Sequence, residues 1–318
     1  MRARMKLLGL LMPLVVVIGP DRAASAAGRD GPKRMVLVEL YTSQGCNMCP
    51  TAEEILGALA GRDRRIVPIA FHVDDFNEPW KDVFSDPMYS RRQMTYHQTY
   101  TRPKPAGYGL YYTPMLMIDG DQSVNGRDPA SAREAIRRAK AREPAVGLDV
   151  ALALEADGLS GTATVRVTGR SPRAENSPLL VCAVLREDGV VTAIASGENA
   201  GKSLVARFPA RQTRFEFIEL DGKSPATRSF AFEVEPTWDR KNLRLAVFVQ
   251  DRRTGAVHQA ADLPWRSKPT AAASSAPLAE ALRGPRVTWT CGECGRRSSA
   301  RHKIGCYSPG AGAGRRRP

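Results

Sequence analysis

A chain of 318 residues with a formal net charge of +14 invites a nucleic-acid reading, but the excess lies at the ends. Residues 1–26 carry +3, residues 269–318 carry +7, and only +4 is left for the long middle, so a basic face on the folded part is excluded. The length allows about two domains, and glycine and proline, 50 residues together, predict loops and at least one linker.

The first 27 residues read as a secretory signal: Arg2, Arg4 and Lys6, then the apolar run 7–18, "LLGLLMPLVVVI", then the small residues of "ASAA" at 24–27. The apolar run is shorter than the roughly 20 residues a membrane span needs. Nothing later is long and apolar enough to span, so the mature chain is expected in the periplasm, in the cell envelope or secreted.

"RMVLVELYT", 34–42, is rich in β-formers and predicts a strand. Residues 50–63 predict a helix, with Pro50 in its first turn, Glu53 and Glu54 favoured by the dipole at its start, and Ala52, Ile55, Leu56 and Leu59 on one face. A second strand is expected over 65–74, a loop over 75–87 and a helix over 86–100. "TPMLMIDG", 113–120, is a short apolar strand ending in a turn signal, with 122–126 as its hairpin partner. Residues 128–143 form a well-marked helix, with Asp128 as N-cap and Pro129 in the first position.

The pattern changes near residue 144. From there to 265 six alternating segments follow one another between turns: "AVGLDVALALEADG", "GTATVRVTGR", "LLVCAVLREDG", "TRFEFIELDG", "RSFAFEVEP" and "NLRLAVFVQDRRTG". They predict an all-β, sandwich-like domain, with Cys182 inside a strand as a buried, inert thiol. Residues 266–288, rich in Ala, Ser and Pro, read as a linker. The basic tail, 289–318, holds Cys291, Cys294, His302 and Cys306. Three cysteines and one histidine at this spacing suit a tetrahedral zinc knuckle, and without metal or a disulfide the tail is too poor in apolar residues to fold.

Chemistry points to "GCNMCP", 45–50, where Cys46 and Cys49 stand between the first strand and the first helix. A thiol at a helix N-terminus meets unpaired backbone N–H groups, which favour its thiolate. Cys49, one turn on, is placed to resolve a mixed disulfide formed by Cys46. Gly45, in place of a bulky side chain, is expected to leave the Cys46 thiol exposed. The spacing leaves other roles open: a structural staple in an envelope-binding module, or a site for Cu(I) or another soft ion.

Several spaced blocks carry a family likeness: "VELYTSQGCNMCP" at 38–50, "FHVDDFNEPWKDVFSDPMYSRRQMTY" at 71–96, "YTPMLMIDG" at 112–120 and "GENAGKSL" at 197–204. Over 34–265 the chain resembles the DUF1223 family of exported bacterial proteins with a thioredoxin-like domain. The resemblance implies an α/β thioredoxin-like domain over 28–144, a mixed sheet with flanking helices and a helical insertion, ahead of the β-rich domain, 145–265. It implies a cis Pro114 that brings the Thr113 backbone beside the cysteines. It also marks His72, Asp74, Trp80, Lys81, Asp82, Arg92 and Gln93 as a cluster. Within that cluster Trp80 is a candidate cover, and His72, Asp74 and Arg92 are candidate tuning or substrate groups. The family shows Tyr-Trp where this chain has Asp75-Phe76, so half of an aromatic wall is missing. The expected activity is thiol–disulfide exchange by Cys46 and Cys49 with a protein dithiol or disulfide of the envelope, assisted by Thr113 and Pro114. No cofactor is expected apart from zinc in the tail, and no nucleic-acid partner.

Overall fold

In the computed structural model residues 33–266 are described, apart from 105, 106, 108 and 176, together with 289, 290, 297 and 298. The chain divides into two units at Arg266. Of the second unit, a two-residue antiparallel pair is described, Trp289–Thr290 with Arg297–Ser298. The leader expected over 1–27, nearly all of the linker expected over 266–288, and Cys291, Cys294, His302 and Cys306 lie outside the described residues.

The first half of the main unit is mixed α/β. Its elements are β1 (Val36–Thr42), α1 (Cys49–Arg62), β2 (Ile66–His72), α2 (Pro87–Thr99), β3 (Met115–Ile118), β4 (Gln122–Asn125) and α3 (Pro129–Lys140). The sheet runs β2-β1-β3-β4, with β1 and β2 parallel and the rest antiparallel. β1 and β2 are buried on both faces, which is why they read as near-continuous apolar runs rather than alternating ones. Alternate residues of β1 serve two cores. Val36, Val38 and Leu40 pack with Leu56 of α1 and Ile136 of α3, while Leu37 and Tyr41 face Tyr89 and Tyr96 of α2. Glu39 shares that second face and is held there by Arg92 and by the Tyr96 hydroxyl, each at 2.6 Å.

α2 and α3 start at capping aspartates, whereas Met48 at the start of α1 makes no side-chain cap. Asp86 accepts from the Met88 N–H, and Asp128 accepts from the N–H groups of Ala130 and Ser131, in each case just ahead of a proline.

After residue 145 the described residues are nearly all β. The strands are β5 (Val146–Leu154), β6 (Ser160–Gly169), β7 (Leu179–Glu187), β8 (Val190–Ala193), β9 (Ser203–Ala206), β10 (Ala210–Ile218), β11 (Ala226–Glu233), β12 (Leu243–Asp251) and β13 (Val257–Pro264). The sequence pattern had pointed to six of these and passed over β8, β9 and β13. Two sheets, β10-β7-β12-β13 and β11-β6-β5, share one apolar core. β7 and β12 again divide their residues between cores. Val181, Ala183, Val247 and Val249 face β11-β6-β5, while Cys182, Val184, Ala246 and Phe248 join Tyr41, Phe71 and Tyr96 of the first half. The α/β and all-β halves are thereby joined by a common core. Cys182 is buried, and burial pushes its thiol up to about 12, as expected of an inert packing residue. No helix of the described residues is long and apolar enough to cross a membrane.

Candidate functional site

β1 ends at Thr42, and the loop 43–48 turns directly into α1. Asp82 pins that loop: one carboxylate oxygen accepts the Gln44 N–H at 2.6 Å and the other accepts the Phe84 N–H at 3.0 Å. The Ser43 hydroxyl in turn accepts the Gly45 N–H at 3.0 Å. Cys49 is the first residue of α1, with its N–H on the Cys46 carbonyl at 3.3 Å. The two thiols differ sharply. The Cys49 thiol donates to Cys46 and lowers the Cys46 pKa to about 7; burial opposes this, and the N–H groups of Met48 and Cys49 add to it. Burial, followed by the negative charge on Cys46, pushes the Cys49 thiol far up.

The expectation of an exposed thiol is corrected: Cys46 and Cys49 are each 1% exposed. Gly45 opens no gap, because the chain fills it. A Cβ at position 45 would meet the Phe76 carbonyl oxygen at 2.5 Å and the Phe76 Cβ at 3.1 Å. The second cover comes from the loop between β8 and β9. Buried Asn199 donates to the carbonyls of Gln44 (2.8 Å) and Cys46 (3.0 Å), and Glu198 accepts the Asn47 N–H at 2.8 Å. Lys202 donates to the Asn199 side-chain oxygen at 2.9 Å, fixing the amide's direction. Met48, between the two cysteines in sequence, is by contrast 45% exposed.

Beneath the cysteines lies a buried chain of titratable groups, Glu53, His72 and Asp82. His72 Nδ1 is 2.7 Å from Asp82, and its Nε2 is 3.7 Å from Glu53, too far for a hydrogen bond. Burial works against charge on the imidazole, but Asp82 and Glu53 outweigh it and raise its pKa. Burial likewise opposes the Asp82 carboxylate, which His72 and the loop N–H groups nevertheless hold below its usual range. Glu53 goes the other way: burial raises it despite His72 and the Arg207 N–H at 3.0 Å. Among the described residues Glu53 Oε1 and His72 Nε2 have no hydrogen-bond partner. A cavity of about 10 Å3 adjoins Glu53, lined also by Thr42, Gln44 and Cys49. The Thr42 hydroxyl lies near both Cys49 and Glu53 without a hydrogen bond of normal geometry.

Of the residues singled out from the sequence, Cys46, Cys49, His72 and Asp82 come together here. Thr113-Pro114 is cis. Pro114 lies beside α1, since a Cβ on Gly126 would meet the Pro114 Cβ at 2.9 Å and the Ala52 Cβ at 3.0 Å. The Thr113 hydroxyl is buried without a partner. Asp74 faces elsewhere, bonding Ser90 at the start of α2. Trp80 is half-buried and follows Pro79, whose carbonyl accepts from Ser196 at 3.3 Å. Arg92 is committed to Glu39, Tyr96 and Gln250 on the opposite face of the sheet. Glu53 and Asn199 were missed as site residues. Glu53 stands four residues after Cys49, on the same face of α1, which was the available signal. The described residues hold no group of three or more His, Cys, Asp or Glu side chains placed to bind a metal.

A β-rich α/β chain with a buried, asymmetric cysteine pair at a helix start is the class of protein defined so far. The chain belongs to the family described as "Protein of unknown function (DUF1223)", whose model matches residues 37–250. Among solved structures it is similar to protein AGR_C_4864 from Agrobacterium tumefaciens, 20% identical with a TM-score of 0.55, over 76% of this chain and 98% of that one. It is also similar to HBP35 of Porphyromonas gingivalis, 13% identical with a TM-score of 0.53, over 85% of each chain. At such identities the likeness concerns the fold alone. No curated protein matches the chain.

Proposed function

We propose that the first half is a thioredoxin-like domain and that the protein is an exported thiol–disulfide exchange protein acting on a protein dithiol or disulfide of the cell envelope. The observation that carries this reading is the pairing of two unlike thiols at the start of α1, one lowered to about 7 and the other held protonated by burial. In the reducing direction the Cys46 thiolate attacks a substrate disulfide. A bond forms between Cys46 Sγ and one substrate sulfur, and the other substrate sulfur leaves as thiolate. Cys49 then gives up its proton and attacks Cys46 Sγ. The 46–49 disulfide forms, the second substrate thiolate leaves, and two electrons have passed to the substrate. The opposite direction runs the same bonds backwards. Glu53 is the group that receives the Cys49 proton: it is buried, its Oε1 is unpaired, and the cavity between them is at the lower limit for one bridging water.

Access requires movement. The 194–202 loop must lift Asn199 from the Gln44 and Cys46 carbonyls before a protein substrate can reach Cys46. The burial of both sulfurs is the observation that favours a second reading, a static pair inside an envelope-binding module. The test is equilibration of the protein in glutathione redox buffers, followed by alkylation and mass mapping. Thiol–disulfide exchange predicts that Cys46 and Cys49 pass reversibly between dithiol and disulfide as the buffer ratio changes. A pair that stays in one state across the whole range belongs to a static staple.

A further inference from the structure

Away from the cysteines, between α2 and the β10-β7-β12 face, lies a cavity of about 400 Å3, within the roughly 300–1,000 Å3 of small-molecule sites. Its wall is unusual for a surface strand. Thr213, Phe215 and Phe217 alternate on the face of β10 that looks into the cavity, while Ile218 turns to the apolar core. Phe215 and Phe217 are 49% and 52% exposed, with ring centroids 5.8 Å apart. Leu180, Met88 and Phe71 continue the apolar lining.

The charges around this surface do not cancel. Arg92, at the inner side, is neutralised by Glu39 at 2.6 Å. The Asp251 carboxylate is turned into its own loop, where it accepts the N–H groups of Arg253 and Thr254. Arg91 and Arg252 also line the cavity, both exposed, and neither makes an ion pair among the described residues. Arg252 lies 3.9 Å from the Phe217 ring centroid, so its guanidinium sits on the aromatic wall with its N–H edge free. An apolar cavity with two uncompensated guanidinium groups matches one kind of occupant: an apolar body of small-molecule size bearing a single anionic head.

We propose that this cavity binds a monocarboxylate amphiphile, such as a medium-chain fatty acid or an aryl carboxylate, with the apolar part against Phe215, Phe217 and Leu180 and the carboxylate on Arg91 and Arg252. The site is separate from the cysteine pair and does not depend on the redox reading. The occupant is a small molecule, not the chain's own C-terminal segment, because residues 269–318 carry a net positive charge that the two arginines repel.

The test is calorimetric titration of the full chain with octanoate, with 2-naphthoate and with octan-1-ol as the uncharged control. The expected result is saturable binding of a carboxylate, tighter for octanoate if the native body is acyl and for naphthoate if it is aryl. Octanol should bind about tenfold more weakly, the loss expected for one charge-assisted hydrogen bond. Arg91→Gln with Arg252→Gln should weaken the carboxylate by a similar factor and leave octanol unchanged, while Phe215→Ser with Phe217→Ser should weaken both. All four positions are exposed, so the variants should keep the wild-type melting temperature. Absence of saturable carboxylate binding overturns the proposal, as does equal binding of octanol and octanoate. A self-association abolished by the phenylalanine variants, without carboxylate binding, would give the face to a second copy instead.

Discussion

Two ionic clusters in this molecule, one around buried Arg186 and one around buried His72, are built on opposite principles. The first ties strands together. Arg186 of β7 donates to Asp188 at 2.8 Å and to Asp262 of β13 at 2.7 Å, and Arg244 of β12 donates to the same Asp262 at 3.0 Å. Arg186 and Arg244 stand opposite each other across the strands, and Asp262 offsets their repulsion. The guanidinium nitrogens of Arg186 all have partners. The second cluster, Glu53–His72–Asp82, is complete on the Asp82 side only and ends in two unpaired atoms beside Cys49. Leaving a buried polar group unpaired costs about 1–3 kcal/mol. On the proposed reading, the open cluster is the one whose titratable group takes the Cys49 proton.

This contrast can be broken in order of expected effect. Arg186→Ala leaves Asp188 without an ion-pair partner and Asp262 with Arg244 alone, and should cost about 3 kcal/mol in denaturant unfolding without altering cysteine chemistry. Asn199→Ala removes the donor from the Gln44 and Cys46 carbonyls, and should cost about 1–3 kcal/mol while speeding alkylation of Cys46 by iodoacetamide severalfold. If the rate does not change, the 194–202 loop is not the cover. Glu53→Gln keeps the shape and removes a charge that burial already disfavours, so its stability should stay within about 1 kcal/mol of wild type near neutral pH.

The pH dependence of stability sharpens the same point, and the sign differs by group. Glu53 ionises more readily in the unfolded chain, so wild-type stability should fall as pH rises from about 4.3 towards its raised folded value. His72 acts in the same direction: its contribution is complete below about 6.5 and is lost as pH rises through its raised folded value. Glu53→Gln and His72→Gln should each flatten this decline. Cys46 acts in reverse: in the reduced protein its thiolate adds stability that is fully present above about 8.5 and is lost as pH falls through about 7. Cys49→Ala removes the donor that holds Cys46 down, so the Cys46 alkylation profile should move up towards the ordinary thiol range.

Much of the architecture was legible from residue patterns. The helical stretch 86–100 and the cap Asp128 with its proline placed α2 and α3, and alternation placed β5, β6, β7, β10, β11 and β12, because these signals are local. β8 and β9 were not legible. Each is four residues long with little alternation, and their pairing frames a loop whose role is to meet Gln44 and Cys46 more than 150 residues away. The shared core of the two halves was hidden for the same reason: β7 and β12 are apolar on both faces, and a sequence does not say which neighbour lies on the second. The cysteine pair was plain, but its burial was not. Gly45 reads as an opening in one dimension and as a place for the Phe76 backbone in three. Glu53 was read only as a residue favoured by the dipole at a helix start, a reading that does not reveal its burial.

The most direct test of the account is reaction of the reduced Cys46→Ser and Cys49→Ser variants with glutathione disulfide, followed by peptide mass mapping. The account predicts that Cys49→Ser accumulates glutathione on Cys46, whereas Cys46→Ser leaves Cys49 unmodified. Equal modification of both variants, or of neither, would contradict it.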